Sequence, residues 1–561
     1  MAHWMKTLVL GVALALPGLL PAVTTDYDAY TLNLTRISEN RRNPGEMGPV
    51  ATGDFNSDGV DDIAFGSPRS AALLTANSGN VFVIYGSDPL LATDYYDLTA
   101  QPDQASNGLF SRLYTNNTEG FQLLPERGGE QFGQSLASGD FDGDGIDDLA
   151  IGAPALIGGS GQGAVYLLYG RDDSITTHPL SGLELIDNEI FDEEAFEVKG
   201  NPSHQYFGEV VFMADLDVDG YDDLVVGSPN NPVSVGVEII WGRPRNVLPV
   251  NQRLHRAVMG SVEVSTVIAG ALAGERMGSS FAAYDFAGGL SKELFIGCPG
   301  WPGGPGSRGR VIQVNISKPP SNFNTYNAAI APLQYRATAG MAGADFGFSI
   351  AMDQLDPDAP AELVIGAPKS VLNKGEVYIV KPGADGITSH DVPTSTGLLL
   401  THTQFGAKLG YKVAIQSVDG FAGKDLVVGA PGVITGSGFD HGRAYVITGA
   451  PYTPGGTFDV DIPTLTGVSV GNFPSEMGGG ANLAFGDFDA TPNPVPPGDT
   501  EPRQDIVISG TGQSVYDPAC TSNNQGDWVL CNGQEVGLRA FIGRSAVLST
   551  SDSSPTWSLL P

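Results

Sequence analysis

Three short segments of the chain carry side-chain oxygens at the same spacing. In each segment an Asp or Asn occupies the first, third, fifth and ninth positions, and a glycine occupies the sixth. Four such side chains, joined by the backbone carbonyl of the seventh residue, would surround one hard cation, and the glycine permits the sharp bend. These acidic loops therefore predict metal binding. The candidate ligands are Asp54, Asn56, Asp58, Val60 and Asp62; Asp140, Asp142, Asp144, Ile146 and Asp148; and Asp215, Asp217, Asp219, Tyr221 and Asp223.

Calcium fits this set of oxygen ligands best. It accepts several carboxylates at relaxed geometry, whereas magnesium demands a tighter octahedron, and the absence of His or Cys ligands disfavours zinc and copper. The loops are not EF-hands, because the twelfth position holds Phe65, Ile151 or Val226 in place of a bidentate Glu. The alternative is a set of ordinary Asn/Asp/Gly turns without metal. Identical spacing in three loops, and the repulsion between clustered carboxylates, favour three calcium sites.

The acidic loops belong to a longer pattern that recurs along most of the chain. Around the second loop, Phe132-Gly133 comes before the acidic residues, and Gly152-Ala153-Pro154 and the β-rich run 165–169 come after them. Seven copies are recognisable by the glycine of the turn after the loop, at positions 66, 152, 227, 297, 366, 429 and 510. Their separations of 63 to 86 residues leave room for three or four strands per copy.

The apolar runs that follow the loops predict strands buried on both faces. They are short, rich in branched residues and flanked by turn formers, at 63–65, 149–151, 224–226, 363–365 and 426–428. Seven sheets of about four strands cannot each bury two faces alone, but radial stacking around an axis buries both. We therefore predict an all-β, seven-bladed β-propeller. A linear solenoid, with shorter and more regular repeats, is the competing arrangement.

The loops of the other four copies are less regular. The fifth copy keeps an acidic cluster with one extra residue, which predicts a modified metal site at Asp353, Asp356, Asp358 and Glu362. In the seventh copy, Asp487 and Asp489 are separated from Asp505 by the Pro-rich insertion 491–503. The fourth and sixth copies retain few acids, and we expect ordinary hydrogen bonds to hold their turns.

The overall charge excludes two classes of partner. The 561 residues include 63 Asp or Glu and 29 Lys or Arg, a net charge of −34. A negative field of this size repels phosphate backbones and anionic lipid surfaces, so nucleic-acid binding and electrostatic membrane docking are disfavoured. The 75 glycines and 39 prolines also exclude a mostly helical protein.

The N-terminus predicts export. Lys6 is followed by the apolar run 8–20 and the small residues Pro21 and Ala22, the pattern of a signal peptide at 1–22. The run is shorter than the roughly 20 residues that span a bilayer. We therefore predict a secreted protein, extracellular or periplasmic, without a membrane span, whose residues 23–561 form the propeller and a short C-terminal tail. Cys520 and Cys531 predict a local disulfide, and Cys298 a small buried residue.

The Phe-Gly and Gly-Ala-Pro signatures around an Asp-x-Asp-x-Asp-Gly-x-x-Asp loop resemble the FG-GAP repeats of the integrin α-subunit N-terminal β-propeller. The resemblance extends from about Thr31 to about Leu548. It implies a seven-bladed propeller with calcium in the hairpins between the first two strands of certain blades. Integrin leg domains and a cytoplasmic segment are not expected after the seventh copy, so integrin signalling is not implied. Strand formers near residues 30–34 are expected to pair with the last blade.

Two functional classes follow. The first is a secreted calcium-binding module for cell adhesion or for binding an extracellular protein or glycan, with no catalytic residue. The alternative is an extracellular enzyme of the polysaccharide lyase or phospholipase type that uses the propeller as a scaffold. Catalytic motifs are weak: the seven His form no metal-ligand pattern, and the Gly-x-Ser-x-Gly match at Gly467–Gly471 is followed by Asn-Phe-Pro rather than a helix. The sequence does not indicate an oligomeric state.

Overall fold

The fold was obtained as a computed structural model, and β-strands dominate it. No helix in the described part of the chain is long and apolar enough to cross a membrane. The structure describes residues 24–28, 35–39, 48–69, 78–86, 95–97, 120–125, 129–155, 162–171, 183–186, 195–200, 205–231, 236–245, 254–255, 265–269, 273–285, 291–302, 306–316, 325–327, 333–338, 341–355, 361–382, 389–392, 397–418, 424–435, 439–440, 442–447, 457–460, 467–471, 481–486, 505–509, 538–545 and 557–558.

The strands are short, as the frequent Gly and Pro predict. Among the described residues, one α-helical element, α1 (Ser370–Asn373), is a single turn with left-handed backbone at Val371 and Leu372. The strands are β1 (Thr24–Asp28), β2 (Thr35–Glu39), β3 (Val50–Gly53), β4 (Asp62–Gly66), β5 (Val81–Ile84), β6 (Tyr95–Asp97), β7 (Gly120–Pro125), β8 (Ser135–Gly139), β9 (Asp148–Ala153), β10 (Ala164–Leu168), β11 (Leu183–Ile186), β12 (Ala195–Lys199), β13 (Val210–Ala214), β14 (Asp223–Gly227), β15 (Val237–Ile240), β16 (Leu254–His255), β17 (Ser265–Ala269), β18 (Phe281–Tyr284), β19 (Glu293–Cys298), β20 (Arg310–Asn315), β21 (Thr325–Asn327), β22 (Leu333–Ala337), β23 (Ser349–Asp353), β24 (Glu362–Ala367), β25 (Glu376–Val380), β26 (Ser389–Val392), β27 (Leu398–Thr401), β28 (Lys412–Gln416), β29 (Asp425–Ala430), β30 (Ile434–Thr435), β31 (Phe439–Asp440), β32 (Arg443–Ile447), β33 (Thr457–Asp459), β34 (Gly467–Gly471), β35 (Asn482–Gly486), β36 (Asp505–Ser509), β37 (Leu538–Ser545) and β38 (Trp557–Ser558).

Six five-stranded sheets share one arrangement within the described ranges. Their first four strands pair antiparallel in chain order, and the fifth pairs parallel to the fourth, as in β3-β4-β5-β7-β11. The others are β8-β9-β10-β12-β16, β13-β14-β15-β17-β21, β18-β19-β20-β22-β26, β23-β24-β25-β27-β33 and β28-β29-β32-β34-β1. These six sheets are regular blades, whereas the sequence predicts seven; the difference lies in the sheet that contains both ends of the chain.

The fifth strand of each regular blade comes from a different part of the chain. Strand β11, for example, lies in the connection between β10 and β12 of the second blade, yet it pairs with β7 of the first. Strands β16, β21, β26 and β33 repeat this exchange, and β1 takes the same place beside β34. An unpaired outer edge would expose a row of backbone donors and acceptors. The exchange covers that edge and ties each blade to the next.

The remaining sheet joins the two ends of the described chain. Strands β35, β36 and β37 pair antiparallel, and the N-terminal β2 adds antiparallel to β37, with Ile37 opposite Ala540. Strand β6 then pairs parallel to β2, and β38 pairs with β37. The closing strand is thus Thr35–Glu39, while the predicted residues 30–34 lie outside the described ranges.

The first strands of neighbouring sheets contact one another around a common axis. Contacts join β3 to β8, β8 to β13, β18 to β23, β23 to β28, β28 to β35 and β35 to β3. Phe212 and Phe281 join β13 to β18, with ring centroids 6.1 Å apart. The chain is therefore an all-β β-propeller, and the solenoid alternative is wrong.

The repeated glycines lie where adjacent blades approach closely. A Cβ atom on Gly66 would lie 2.1 Å from the carbonyl oxygen of Gly133 in the next blade, and one on Gly152 would lie 2.0 Å from that of Gly208. The buried Phe132 beside Gly133 packs edge-to-face on Tyr166, with 5.3 Å between centroids. The Phe-Gly and Gly-x-Pro signatures are thus two halves of one contact between blades.

The core lies between the blades. Strands β4, β9, β14, β24 and β29 are buried along their whole length, as their apolar runs predict. One cluster combines Val83 of the first blade with Ile151 and Tyr166 of the second. Burial of apolar surface on both faces of each sheet stabilises the stack.

Candidate metal centres

Each regular acidic loop connects the first and second strands of its blade. The strand register places Gly53 opposite Asp62, Gly139 opposite Asp148 and Ala214 opposite Asp223. The ninth position of each loop therefore begins the second strand, across from the residue that precedes the first position. All three loops lie at the same end of the blades.

The first-position carboxylate folds its loop around itself. Asp140 Oδ1 accepts the backbone N–H of Asp144 at 3.1 Å, and Oδ2 accepts that of Gly145 at 2.9 Å. Asp54 and Asp215 accept the equivalent pairs at 2.9–3.1 Å. These bonds, with the positive φ of the sixth-position glycine, give each loop its bend.

The ninth-position carboxylate fastens the loop to the blade. Asp148 is fully buried; its Oδ2 accepts the N–H of Phe141 at 2.9 Å, and its Oδ1 accepts that of Gly170, after the third strand, at 2.8 Å. Asp62 and Asp223 accept the two equivalent bonds at 2.8–3.0 Å. This side chain therefore has a structural role besides its predicted one as a metal ligand.

Carboxylates from different loop positions converge. Oxygens of Asp140, Asp142 and Asp148 lie within 4.8 Å of one another, and the same holds for Asp215, Asp217 and Asp223. In the first loop, the Asn56 amide donates to Asp58 Oδ2 at 3.1 Å.

The other predicted ligands lie within these same loops. Asp58, Asp144 and Asp219 each accept a backbone N–H from the seventh residue, at 2.9–3.2 Å. Those seventh residues are Val60, Ile146 and Tyr221, and the role of their carbonyl groups as ligands stays a prediction.

Burial makes the ionised form of these acids costly. Desolvation raises the pKa of Asp62 to about 9 and that of Asp223 to about 8, although two backbone N–H donors act in the opposite direction. Neighbouring carboxylates of the same loop raise both values further. A divalent cation would offset this repulsion, and an all-oxygen, carboxylate-rich donor set fits a hard cation.

The second loop has a feature that sequence reasoning missed. Arg245, from the segment after β15 in the next blade, donates through Nε to Asp142 and through Nη2 to Asp144 Oδ2, the latter at 2.9 Å. Its guanidinium also donates to the Gly170 carbonyl at 2.8 Å and stacks over Tyr169 at 4.5 Å. This arginine, about 100 residues further along the chain, thus partly neutralises the loop. No local sequence motif predicts the contact.

The eighth position also acquires a role that only the structure assigns. The carboxylate of Asp147, in the second loop, accepts the N–H of Asp54 in the first loop at 3.0 Å. Asp222 in the third loop accepts the N–H of Asp140 at the same distance. A Cβ atom on Gly53 would lie 2.6 Å from Asp147 Oδ2. The glycine that precedes one loop thus makes room for the aspartate at position eight of the next loop. The joint occurrence of these two residues is the sequence feature that could have predicted the contact between the loops.

The fifth loop differs from its prediction. Asp353 lies opposite Glu362, just as Gly53 lies opposite Asp62, so the hairpin has no extra residue and Gln354 takes the first position. Asp353 Oδ2 accepts a hydrogen bond from Lys424 Nζ at 2.6 Å. Glu362 accepts the Leu355 N–H at 3.0 Å and forms an ion pair with Lys381 at 3.3 Å. Asp356 and Asp358 lie outside the described residues.

The other irregular features have structural explanations or lie outside the described ranges. In the sixth copy, Asp425 accepts the N–H of Val418 at 2.8 Å, an ordinary hydrogen bond as expected. The Gly-x-Ser-x-Gly match forms β34, paired on both sides, which is not a nucleophile elbow. Cys298 is buried and free, whereas Asp487, Asp489, Cys520 and Cys531 are not described.

Known proteins share the repeats that carry the regular loops. A family model described as the FG-GAP repeat matches residues 50–84, 132–168 and 207–241. Each matched stretch contains one regular loop and the strands around it.

Curated relatives match about a third of the chain. Over 187 residues the chain is 31% identical to phosphatidylinositol-glycan-specific phospholipase D of Rattus norvegicus, covering 33% of this chain and 18% of the relative. Over 239 residues it is 29% identical to integrin alpha-V of Gallus gallus, covering 37% of this chain and 22% of the integrin. The matched part thus spans about a fifth of either relative. The chain therefore contains FG-GAP repeats within its β-propeller and is homologous, over about a third of its length, to integrin α chains and to this phospholipase D.

Proposed function

We propose that the protein is a secreted calcium-binding β-propeller that acts as a binding or adhesion module for an extracellular protein or glycan. The observation that carries the proposal is the set of three loops with one hydrogen-bonded geometry at the same end of three neighbouring blades, two of which bring three carboxylates within 4.8 Å of one another. The similarity to an integrin alpha chain supports a binding role. Residues 1–22 are proposed to be a signal peptide and 23–561 to be the exported propeller and its tail.

The proposal includes seven blades. Its support is the order of the sheet that contains both chain ends: β35, β36, β37 and β2 pair antiparallel, and β6 pairs parallel in the fifth place. That is the order of the six regular blades. The contacts of β35 with β28 and β3 also put this sheet between the sixth blade and the first.

The proposed metal is calcium at all three regular loops. Asp54, Asp58 and Asp62 with Asn56 would hold the first ion. The corresponding four aspartates of the second and third loops would hold the others, with carbonyl oxygens of Val60, Ile146 and Tyr221. The ion would neutralise the buried carboxylates and fix the hairpins, which orders the loops around them. The fifth loop is left out, because the strand register puts Gln354 rather than an aspartate at its first position and Asp353 pairs with Lys424.

A binding screen tests the function. The purified chain, lacking residues 1–22, would be tested against extracellular proteins and a glycan array, in calcium and in chelator. We expect saturable binding that needs calcium and is lost when loops one to three each carry Asp→Ala at position five, as in Asp144→Ala. Absence of any saturable ligand, together with catalytic turnover, would refute the binding role.

A second candidate is an enzyme of the phospholipase type, with a polysaccharide lyase as its variant. The identity to a phosphatidylinositol-glycan-specific phospholipase D favours it, although the match covers 18% of that relative. Release of a phosphatidylinositol-glycan-anchored reporter protein from vesicles by the purified chain would support it. Activity that persists after repeated purification would replace the binding module as the proposed function.

A further inference from the structure

A cavity of about 450 Å³ lies on the propeller axis, away from the acidic loops. Its walls are the N-terminal ends of first strands, including Val210 of β13 and Lys412 of β28. The acidic loops follow the C-terminal ends of β3, β8 and β13. The cavity therefore opens at the opposite end of the blades, and its volume falls in the range of small-molecule sites.

The charge of the cavity is opposite to that of the chain. Its lining contains two cations, Arg276 and Lys412, and one acid, Glu209. The Glu209 carboxylate already accepts hydrogen bonds from the backbone and side-chain amide of Asn230. Since Arg276 interacts with Glu209 and Asp345, Lys412 is the lining cation whose charge no described acid balances, which marks the cavity as a place for an anion.

Lys412 departs from the repeat pattern. In three other blades the residue two positions after the Phe-Gly or equivalent glycine is a serine that donates to a glycine carbonyl of the next blade. These bonds join Ser135 to Gly208, Ser280 to Gly347 and Ser349 to Gly410, at 2.8–2.9 Å. In the sixth blade Lys412 takes this place, opposite Gly429 as Ser349 is opposite Gly366. A cation thus replaces a short structural side chain at the cavity wall.

The ammonium of Lys412 has no counter-ion in the described residues. Desolvation alone lowers its pKa, with no acid or hydrogen-bond acceptor acting in the other direction. A desolvated ammonium gains most from a ligand anion, because the interaction is strong where water is scarce. Arg276, on another blade, already pairs with Asp345 at 3.5 Å, so Lys412 is the lining cation that meets the ligand.

The rest of the wall is suited to an apolar body. Phe348 and Tyr411 line the cavity and pack on each other, with centroids 4.9 Å apart, and Phe281 contributes a third ring. We propose that this cavity binds a small organic monoanion, whose carboxylate pairs with Lys412 and whose apolar or aromatic body packs on Phe348 and Tyr411. The proposed ligand carries one negative charge rather than two, because the Glu209 carboxylate in the cavity wall would repel a dianion more strongly. The inference stands apart from calcium binding and from adhesion.

Calorimetric titration of the calcium-saturated chain tests the proposal, with phenylacetate as the probe. We expect saturable binding of one phenylacetate per chain, and binding of the neutral phenylacetamide and of the dianion phenyl phosphate at least tenfold weaker. Two peptides that end in Phe, one with a free C-terminal carboxylate and one with a C-terminal amide, are titrated in the same way. Binding of the free-acid peptide alone would identify a peptide C-terminus as a source of the carboxylate, besides a free small acid. Equal binding of phenylacetate and phenylacetamide would overturn the proposal.

Variants locate the site. Lys412→Ser, which installs the residue of the other blades, is expected to weaken phenylacetate binding about tenfold or more, and Lys412→Arg to retain it. Lys374→Ser is the matched control: it removes the same charge at an outer turn beside Phe405, outside the cavity lining. Unchanged affinity in Lys412→Ser, or equal loss in Lys374→Ser, would overturn the assignment. The melting temperature of each variant checks its fold, and Lys412→Arg keeps the test valid if the serine variant is unstable.

Discussion

The third and fifth loops use the same hairpin but balance their charge differently. In both, an acid opposite the pre-loop residue accepts a backbone N–H from the second loop position: Asp223 from Leu216, and Glu362 from Leu355. The third loop groups the oxygens of three aspartates within 4.8 Å. In the fifth, Lys424 and Lys381 pair with Asp353 and Glu362. The same hairpin therefore carries either clustered carboxylates that could hold a metal, as in the third loop, or carboxylates paired with lysines, as in the fifth.

Adjacent blades set the charge of each loop. The residue before the last acid of one hairpin contacts the preceding hairpin: Asp147 contacts Asp54, and Lys424 contacts Asp353. Where that residue is Asp147, the facing position is Gly53, since a side chain there would collide with the carboxylate. Where it is Lys424, the facing position is the acid Asp353. Charge at each loop is thus determined by two blades together.

The largest expected effect is that of removing calcium. Chelator should lower the stability of the chain by about 8 kcal/mol relative to calcium at a hundred times Kd, since each of three sites contributes about 2.7 kcal/mol. Thermal unfolding monitored by circular dichroism in calcium and in chelator measures it. Equal melting temperatures in the two conditions would mean that the loops are turns without metal.

The ninth-position acid should matter more than a residue that serves only as a ligand. Asp223→Ala is expected to cost about 5 kcal/mol in calcium, because it removes one ion and leaves the N–H groups of Leu216 and Gly242 without an acceptor. Part of the loss, about 2 kcal/mol, should persist in chelator. Urea unfolding in both conditions measures the two parts. A loss confined to calcium would contradict the structural role.

Acidification should stabilise the calcium-free chain. The folded-state pKa values of Asp62 and Asp223, about 9 and about 8, lie above the usual value of 3.8, so the folded state binds protons more tightly than the unfolded state. Stability is then lost as pH rises through these values. Lowering the pH from 8 to 6 in chelator is expected to add on the order of 5 kcal/mol, about 2 to 3 kcal/mol from each of the two groups. The same shift should diminish the stabilisation by calcium, which needs ionised ligands. A fall in chelator stability between pH 8 and 6 would contradict the expectation.

A pair of matched variants separates the third loop from the fifth. Asp217→Ala is expected to reduce the calcium stoichiometry from three to two and to cost about 2.7 kcal/mol in calcium only. Asp353→Ala should leave the stoichiometry at three, because Asp353 pairs with Lys424 rather than with an ion. Calcium titration by calorimetry gives both numbers. Loss of an ion in Asp353→Ala would restore the fifth loop as a metal site.

The smallest effect concerns the second loop. Arg245 competes with an ion for Asp142 and Asp144, so Arg245→Gln should tighten calcium binding at this loop about tenfold, or about 1.4 kcal/mol. Competition with a chromogenic chelator measures the change, with Arg308→Gln beside Trp301 as the control. Weaker binding would instead indicate that Arg245 supports the loop.

Local sequence was sufficient for the repeated unit. Periodic Phe-Gly and Gly-x-Pro signatures and the apolar runs predicted the strands, because buried strands need branched residues and tight turns need glycine. The regular loops could also be predicted from the sequence, because Asp140 and Asp148 are close in the chain and their hydrogen bonds are local. The prediction that the fifth loop has one extra residue is wrong. Asp353 has the residue type of a first-position ligand, but the strand register puts it opposite Glu362, before the loop begins.

By itself the sequence determined the blade, its acidic hairpin and the all-β stacking, since these depend on residues within one copy. Tertiary structure decided what happens between copies. It brought Asp147 to Asp54, Arg245 to Asp142 and Lys424 to Asp353, across 71 to 103 residues of chain. It also exchanged the fifth strands and placed Lys412 at the axial cavity. Such contacts depend on how blades pack around the axis, and packing between distant segments leaves no periodic pattern in one sequence.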